Sequence, residues 1–166
     1  MPLARYALIA QGEQIHCSHF PGSMAGESMS QQIDAAIRHH AMESGAFVVN
    51  ATGWLTDKQR AEIAPDESLA KYLQGGNCTG IVAPYGAYLA GPLADGEDMA
   101  VAEIDLSSIV RQKNVLDTVG HYSRPDILRL SIDRSESKIV EEMEGKFDEI
   151  KDEHLAGRQQ GLDVKE

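Results

Sequence analysis

Apolar positions separate helices from strands along this chain before any motif is considered. Between residues 28 and 45, Ile33, Ala36, Ile37, His40 and Ala41 fall at i, i+3, i+4, i+7 and i+8, the spacing of one helix face. Ser28-x-x-Gln31 has capping-box spacing at its start, and Gly45 suits a left-handed exit. Residues 2–11 predict a shorter helix, with Pro2 in its first turn, Leu3 and Ala7 on one face beside Tyr6 and Ala10, and Gly12 at its end. Thr56-x-x-Gln59 opens a third helix that Pro65 stops. Residues 66–73 predict a fourth, leaving through Gly75-Gly76, and Asp105 caps a fifth over 106–116.

The strand signals are alternating or unbroken apolar runs. Residues 14–20 read as a short strand closed by Pro21-Gly22. Ala46-Phe-Val-Val-Asn-Ala-Thr52 is apolar on successive positions, as expected of a strand covered on both faces. Ile81-Val-Ala83 and Ala87-Tyr-Leu89 flank Pro84-Tyr-Gly86 and so predict two strands paired about a tight turn. Residues 99–104 predict another strand, and Leu128, Leu130 and Ile132 alternate with polar neighbours as in a half-buried one. This mixture predicts an α/β fold with α+β-type layers, helices against a sheet, rather than a doubly wound parallel sheet.

Composition acts mainly by exclusion. A length of 166 residues, 42% apolar and 25% charged, fits one soluble globular domain. A formal charge of −11 opposes nucleic acid and anionic membrane surfaces as partners, since both need clustered Lys and Arg. No run approaches the roughly 20 apolar residues of a membrane span. The N-terminus is a poor signal peptide, so a cytoplasmic location with Cys17 and Cys78 reduced is expected. From Arg134 the chain carries ten acidic and six basic residues, with Ile139, Met143, Phe147 and Ile150 as a thin helical stripe. Residues 1–133 therefore read as one domain. Residues 134–166 read as an acidic, partly helical tail, either solvated or docked on a neighbouring subunit.

Candidate chemistry is sparse. Cys17 falls inside a predicted strand, where a free cysteine is ordinarily a small buried apolar residue. Cys78 follows Gly75-Gly76-Asn77 just before a strand, without the Gly-Lys-Ser/Thr ending of a phosphate loop. His16-Cys17-Ser18-His19 invites a metal reading. On a strand, however, Cys17 and His19 face away from His16, and the other histidine pair, His39-His40, sits on a helix. No metal and no cofactor is expected.

Four segments carry a resemblance. Pro2-Leu-Ala-Arg-Tyr6, Gly12-Glu-Gln-Ile-His16, the run from Gly75 to Pro92, and above all Gly120-His-Tyr-Ser-Arg-Pro-Asp126 resemble the C-terminal half of a nitrilase, as does the strand pair around Pro84-Tyr-Gly86. The resemblance covers residues 2 to about 130. It implies part of an α-β-β-α sandwich. It also implies a hydrolase that takes a nitrile and water to a carboxylic acid and ammonia through a cysteine thioester.

In that family the Glu, the Lys and the Cys of the Cys-Trp-Glu motif precede the segment like Pro2–Tyr6. No residue here takes those roles, and the chain alone is expected to be inactive. The resemblance implies that Phe20, standing where nitrilases often carry Trp, borders a substrate pocket; His19, Asn50 and Thr52 lie near strand ends and are expected either to line the same pocket wall or to pack. It places His121, Tyr122 and Arg124 at or near a subunit interface. The implied partners are a small-molecule nitrile in the complete enzyme, and nitrilase subunits or the N-terminal half in a homo-oligomer. A non-catalytic assembly partner of a nitrilase oligomer and one half of a split enzyme are the alternatives.

Overall fold

A computed structural model describes residues 1–135. The tail helix expected from residue 139 onward lies outside the described residues. The elements, in order, are α1 (Pro2–Ala10), β1 (Ile15–Phe20), α2 (Gly26–Ser44), β2 (Phe47–Thr52), α3 (Asp57–Ile63), α4 (Glu67–Tyr72), β3 (Gly80–Val82), β4 (Tyr88–Ala90) and α5 (Ser107–Val115). The four strands form one sheet in the order β1-β2-β3-β4. β1 and β2 are parallel, joined through α2, and β2, β3 and β4 are successively antiparallel.

One sheet face is closed by α2. Ile33, Ile37 and Ala41 bury against Val48, Val82 and Cys78, with Phe20, Met29 and Tyr88 packed at the margin. Each isoleucine removed from water here contributes about 1.5–3 kcal/mol. Ala36, counted with this face from its spacing, is exposed, and Ser44 takes its place on the buried stripe. Ile37→Ala is expected to cost about 2–5 kcal/mol by cavity formation. Arg38 is exposed and donates from Nε to Gly86 O at 2.8 Å, so Arg38→Ala should cost about 1 kcal/mol. Urea denaturation of both variants tests this, and equal midpoints would show that the face is misassigned.

The start of α2 differs from expectation. Ser28 does not cap it. The helix begins at Gly26 after Ala25 in the left-handed region (φ 53°), because Ala25 N–H and Gly26 N–H are held by Tyr72 O and Gln74 O at 2.8 and 2.9 Å. Tertiary hydrogen bonds from the end of α4 thus do the work of a side-chain cap. By contrast, Thr56 and Gln59 form the expected capping box of α3, Asp66 caps α4, and Gly45 closes α2 at φ 65°.

The opposite sheet face is covered at one end only, where Phe47 and Ala83 bury against Ile109 of α5. Asp105 supports that helix by accepting Ser107 N–H at 2.9 Å. Away from this end β2 does not have the two-sided cover its composition predicts, and Val49 and Ala51 are exposed. Residues 99–104 and 128–132 are not strands, and Met99, Val101 and Leu128 are more than 70% exposed. Their alternation is present, but no neighbouring strand edge receives them among the described residues. α1 is a helix with Pro2 in its first turn, yet the buried residue is Ile9, not the Leu3–Ala7 stripe.

The turns that leave β1 and β2 touch. Gly53 N–H donates to Phe20 O at 3.0 Å, and a Cβ on Gly22 would collide with Gly53 O and approach Thr52 Cγ2 to 2.6 Å. Gly22→Ala should therefore destabilise the fold by about 1–3 kcal/mol. A thermal or urea midpoint unchanged from the parent would show that the two turns separate freely.

Candidate functional site

Three polar arrangements and one apolar surface stand out. The first lies at the strand ends. Asn50 on β2 is buried; its Nδ2 donates to Cys78 O at 2.8 Å and its Oδ1 accepts from Ser18 Oγ at 2.8 Å. Thr52 Oγ1 accepts from Cys78 N–H at 3.2 Å, and Thr79 Oγ1 accepts from Thr52 N–H at 3.0 Å. These side chains fix the Gly75–Thr79 segment against β2, satisfying backbone groups that burial would otherwise leave unpaired.

The second is a relay from a buried thiol to the surface. The Cys78 thiol lies 3.2 Å from Tyr88 Oη, which donates to Asp34 Oδ1 at 2.9 Å. Burial pushes the Cys78 thiol up from its ordinary value, and burial with both hydrogen bonds does the same to Tyr88. A thiol held protonated is the reverse of an activated nucleophile. Cys17 is exposed rather than buried as its strand position implied, because it projects from the open sheet face.

The third lies where the segment before β1 meets α2. Glu13 Oε1 is 2.7 Å from His40 Nε2, and Glu13 Oε2 is 2.9 Å from His16 Nδ1. The two imidazole rings are 4.0 Å apart. His40 is buried, and desolvation first, then the neighbouring His16, lower its pKa and keep it neutral. The signals were present in sequence as Glu13-x-x-His16 and His39-His40. Helix and strand periodicity alone does not say that they meet.

The apolar surface is the uncovered part of the sheet. Ile15, Val49 and Leu89 are 46%, 38% and 39% exposed, and Cys17 and His19 project beside them. Of the four residues read as a pocket wall, His19 alone is on this face. Phe20, Asn50 and Thr52 lie on the α2 side, because alternate residues of a strand point to opposite faces. The four do not line one surface.

The carbon-nitrogen hydrolase family profile matches residues 1–114. The chain belongs to the carbon-nitrogen hydrolase family. Among curated relatives, it is 53% identical over 140 residues to a nitrilase of Paraburkholderia phymatum, covering 84% of this chain and 41% of that protein. It is 34% identical over 157 residues to nitrilase 1 of Arabidopsis thaliana, again with 84% and 41% covered. This carbon-nitrogen hydrolase chain thus spans about two fifths of the length of such relatives. Among solved structures, the C. elegans NitFhit protein has the same fold, with a TM-score of 0.60 at 23% identity over 84% of this chain and 30% of that one.

The Gly120–Asp126 motif of this family member is a self-closed turn. Asp117 Oδ1 accepts Gly120 N–H at 3.0 Å, and Asp117 O accepts Tyr122 N–H at 3.2 Å. Arg124 pairs with Asp126 through two hydrogen bonds of 2.8 and 2.7 Å, raising the one pKa and lowering the other. His121 and Tyr122 are exposed, their rings 4.5 Å apart. No described helix is long and apolar enough to cross a membrane.

Proposed function

We propose that this chain forms the C-terminal portion of a nitrilase-type hydrolase, which converts a nitrile and water to a carboxylic acid and ammonia through a cysteine thioester. The observation that carries the reading is the open apolar sheet face of Ile15, Cys17, Val49 and Leu89 in a member of the carbon-nitrogen hydrolase family. A face of this kind needs a second layer, and the relatives are long enough to supply one. The Glu-Lys-Cys triad comes from sequence that precedes the segment like Pro2–Tyr6. The present residues contribute scaffold and pocket margin.

In this reading His19, on the open face, borders the nitrile site. Phe20, Asn50 and Thr52 shape it from beneath by fixing the ends of β1 and β2. His121, Tyr122 and Arg124 serve contacts between nitrilase subunits in a homo-oligomer, supported by their exposure on a turn that already satisfies its own backbone. The non-catalytic assembly partner is the competing reading.

Complementation tests the proposal. The chain is co-expressed with the N-terminal portion of a related nitrilase, ending after its Cys-Trp-Glu motif, and ammonia release is measured. Restored hydrolysis supports the assignment. Restoration by a nitrilase C-terminal portion instead would reverse the half assigned here, and neither would sink the enzymatic role.

A further inference from the structure

The cluster of Glu13, His16 and His40 is absorbed by no part of the hydrolase reading. It joins three pieces of chain. Glu13 lies in the link between α1 and β1, His16 is the second residue of β1, and His40 is on the buried stripe of α2. The side chains are 13%, 21% and 4% exposed. Each offers one ligand atom, and the three atoms lie within 4.8 Å of one another.

We propose that Glu13, His16 and His40 form a binding site for a divalent transition-metal ion of the zinc type. The donors are two imidazole nitrogens, His16 Nδ1 and His40 Nε2, and one carboxylate. That set suits zinc, cobalt and nickel, whereas magnesium and calcium require mostly oxygen ligands. A tetrahedral ion at about 2.0–2.2 Å from each ligand holds them roughly 3.3 Å apart. The contacts of 2.7 and 2.9 Å run to the two different oxygens of Glu13, and the three ligand atoms lie within 4.8 Å of one another, so side-chain shifts of about 1.5 Å or less bring them onto one ion. The partial exposure of Glu13 and His16 leaves a fourth position reachable by water.

Proton accounting is consistent with neutral ligands. In the ion-free cluster, His16 Nδ1–H and His40 Nε2–H each donate to Glu13. On loading, those nitrogens give their lone pairs to the ion, and the protons reside on His16 Nε2 and His40 Nδ1. The charge gained is that of the ion alone, set against one carboxylate. His40 Nδ1 has no hydrogen-bond partner, so the usual outer support of a ligating histidine is missing on that side. That omission weakens binding by about 10–100-fold against a fully supported site. Arg5 is paired with Glu43 at 3.1 Å and also reaches His39 Nδ1 at 3.3 Å, so part of its charge is already compensated.

Of the His16-Cys17-Ser18-His19 strand run the site takes His16 alone, because Cys17 and His19 project from the other sheet face. That difference supplies the test. Chelator-stripped 166-residue chain is titrated with zinc chloride by calorimetry at neutral pH, with magnesium chloride as control. The expected result is one zinc per chain with a Kd of about 10 µM or tighter, and no magnesium binding at millimolar concentration. Glu13→Gln, His16→Gln and His40→Gln should each weaken zinc about tenfold or more, while Cys17→Ser, His19→Gln and His39→Gln leave it unchanged.

His16→Gln is the safest of the three for folding, since His16 is the most exposed ligand, and far-ultraviolet circular dichroism checks that the fold is kept. Cobalt loading adds an independent readout: visible bands of a tetrahedral nitrogen and oxygen site without a thiolate charge-transfer band. Absence of stoichiometric zinc binding overturns the proposal. So does loss of binding in Cys17→Ser or His19→Gln with retention in His16→Gln.

Discussion

The 166-residue polypeptide purified alone will release no ammonia from aromatic, arylacetyl or aliphatic nitriles above background. Cys78 is the thiol best enclosed by the fold, yet it is buried, hydrogen-bonded to Tyr88 and held protonated. Cys17 is exposed and makes no side-chain hydrogen bond among the described residues. Among the described residues neither thiol makes a hydrogen bond to a histidine, carboxylate or cation that would turn it into a nucleophile. A covalent hydrolase deprived of its nucleophile loses about 10⁶-fold in kcat, which drops any residual rate below detection. Ammonia measured over a nitrile panel decides the matter. Hydrolysis that disappears in Cys17→Ala or Cys78→Ala would prove one of these thiols catalytic and refute the role assigned to the chain.

The second large effect is association. Sedimentation at low micromolar concentration should show self-association, or a complex when a nitrilase N-terminal portion is supplied. The driving surface is the open sheet face around Ile15, Val49 and Leu89, with β1 as an unpaired edge beside it. The charge of −11 opposes aggregation over the whole molecule but is not concentrated on this face. Val49→Asp places a carboxylate in the centre of the patch and should weaken association about tenfold or more, roughly 1.4 kcal/mol. A single monomeric species with a sharp cooperative melt would mean that the sheet needs no second layer, and the partial-sandwich reading would fail.

Elements with their own local signal were legible in the chain. Pro2 and Gly12 bound α1, Thr56 and Gln59 cap α3, Asp66 caps α4, and Gly45 ends α2 in the left-handed conformation. The alternating or unbroken apolar runs at β1, β2, β3 and β4 all became strands, and the motifs around Gly75–Pro92 and Gly120–Asp126 led to the right family. Each of these depends on neighbours within a few residues, where backbone geometry and capping act.

What the sequence left undecided depended on distant partners. Residues 99–104 and 128–132 have strand periodicity, but a strand exists only where another edge accepts its hydrogen bonds. The start of α2 is set by carbonyls of Tyr72 and Gln74, more than 40 residues away, not by Ser28. The face of β2 that is open beyond Phe47, and with it the exposure of Cys17 and the separation of His19 from Phe20, Asn50 and Thr52, follows from which layer packs on which side. Most plainly, His40 lies 27 residues from Glu13, and only the packing of α2 across β1 brings its imidazole and that of His16 onto one carboxylate. Local propensity carries no information about that meeting, because the contact energy exists only once the helix has docked.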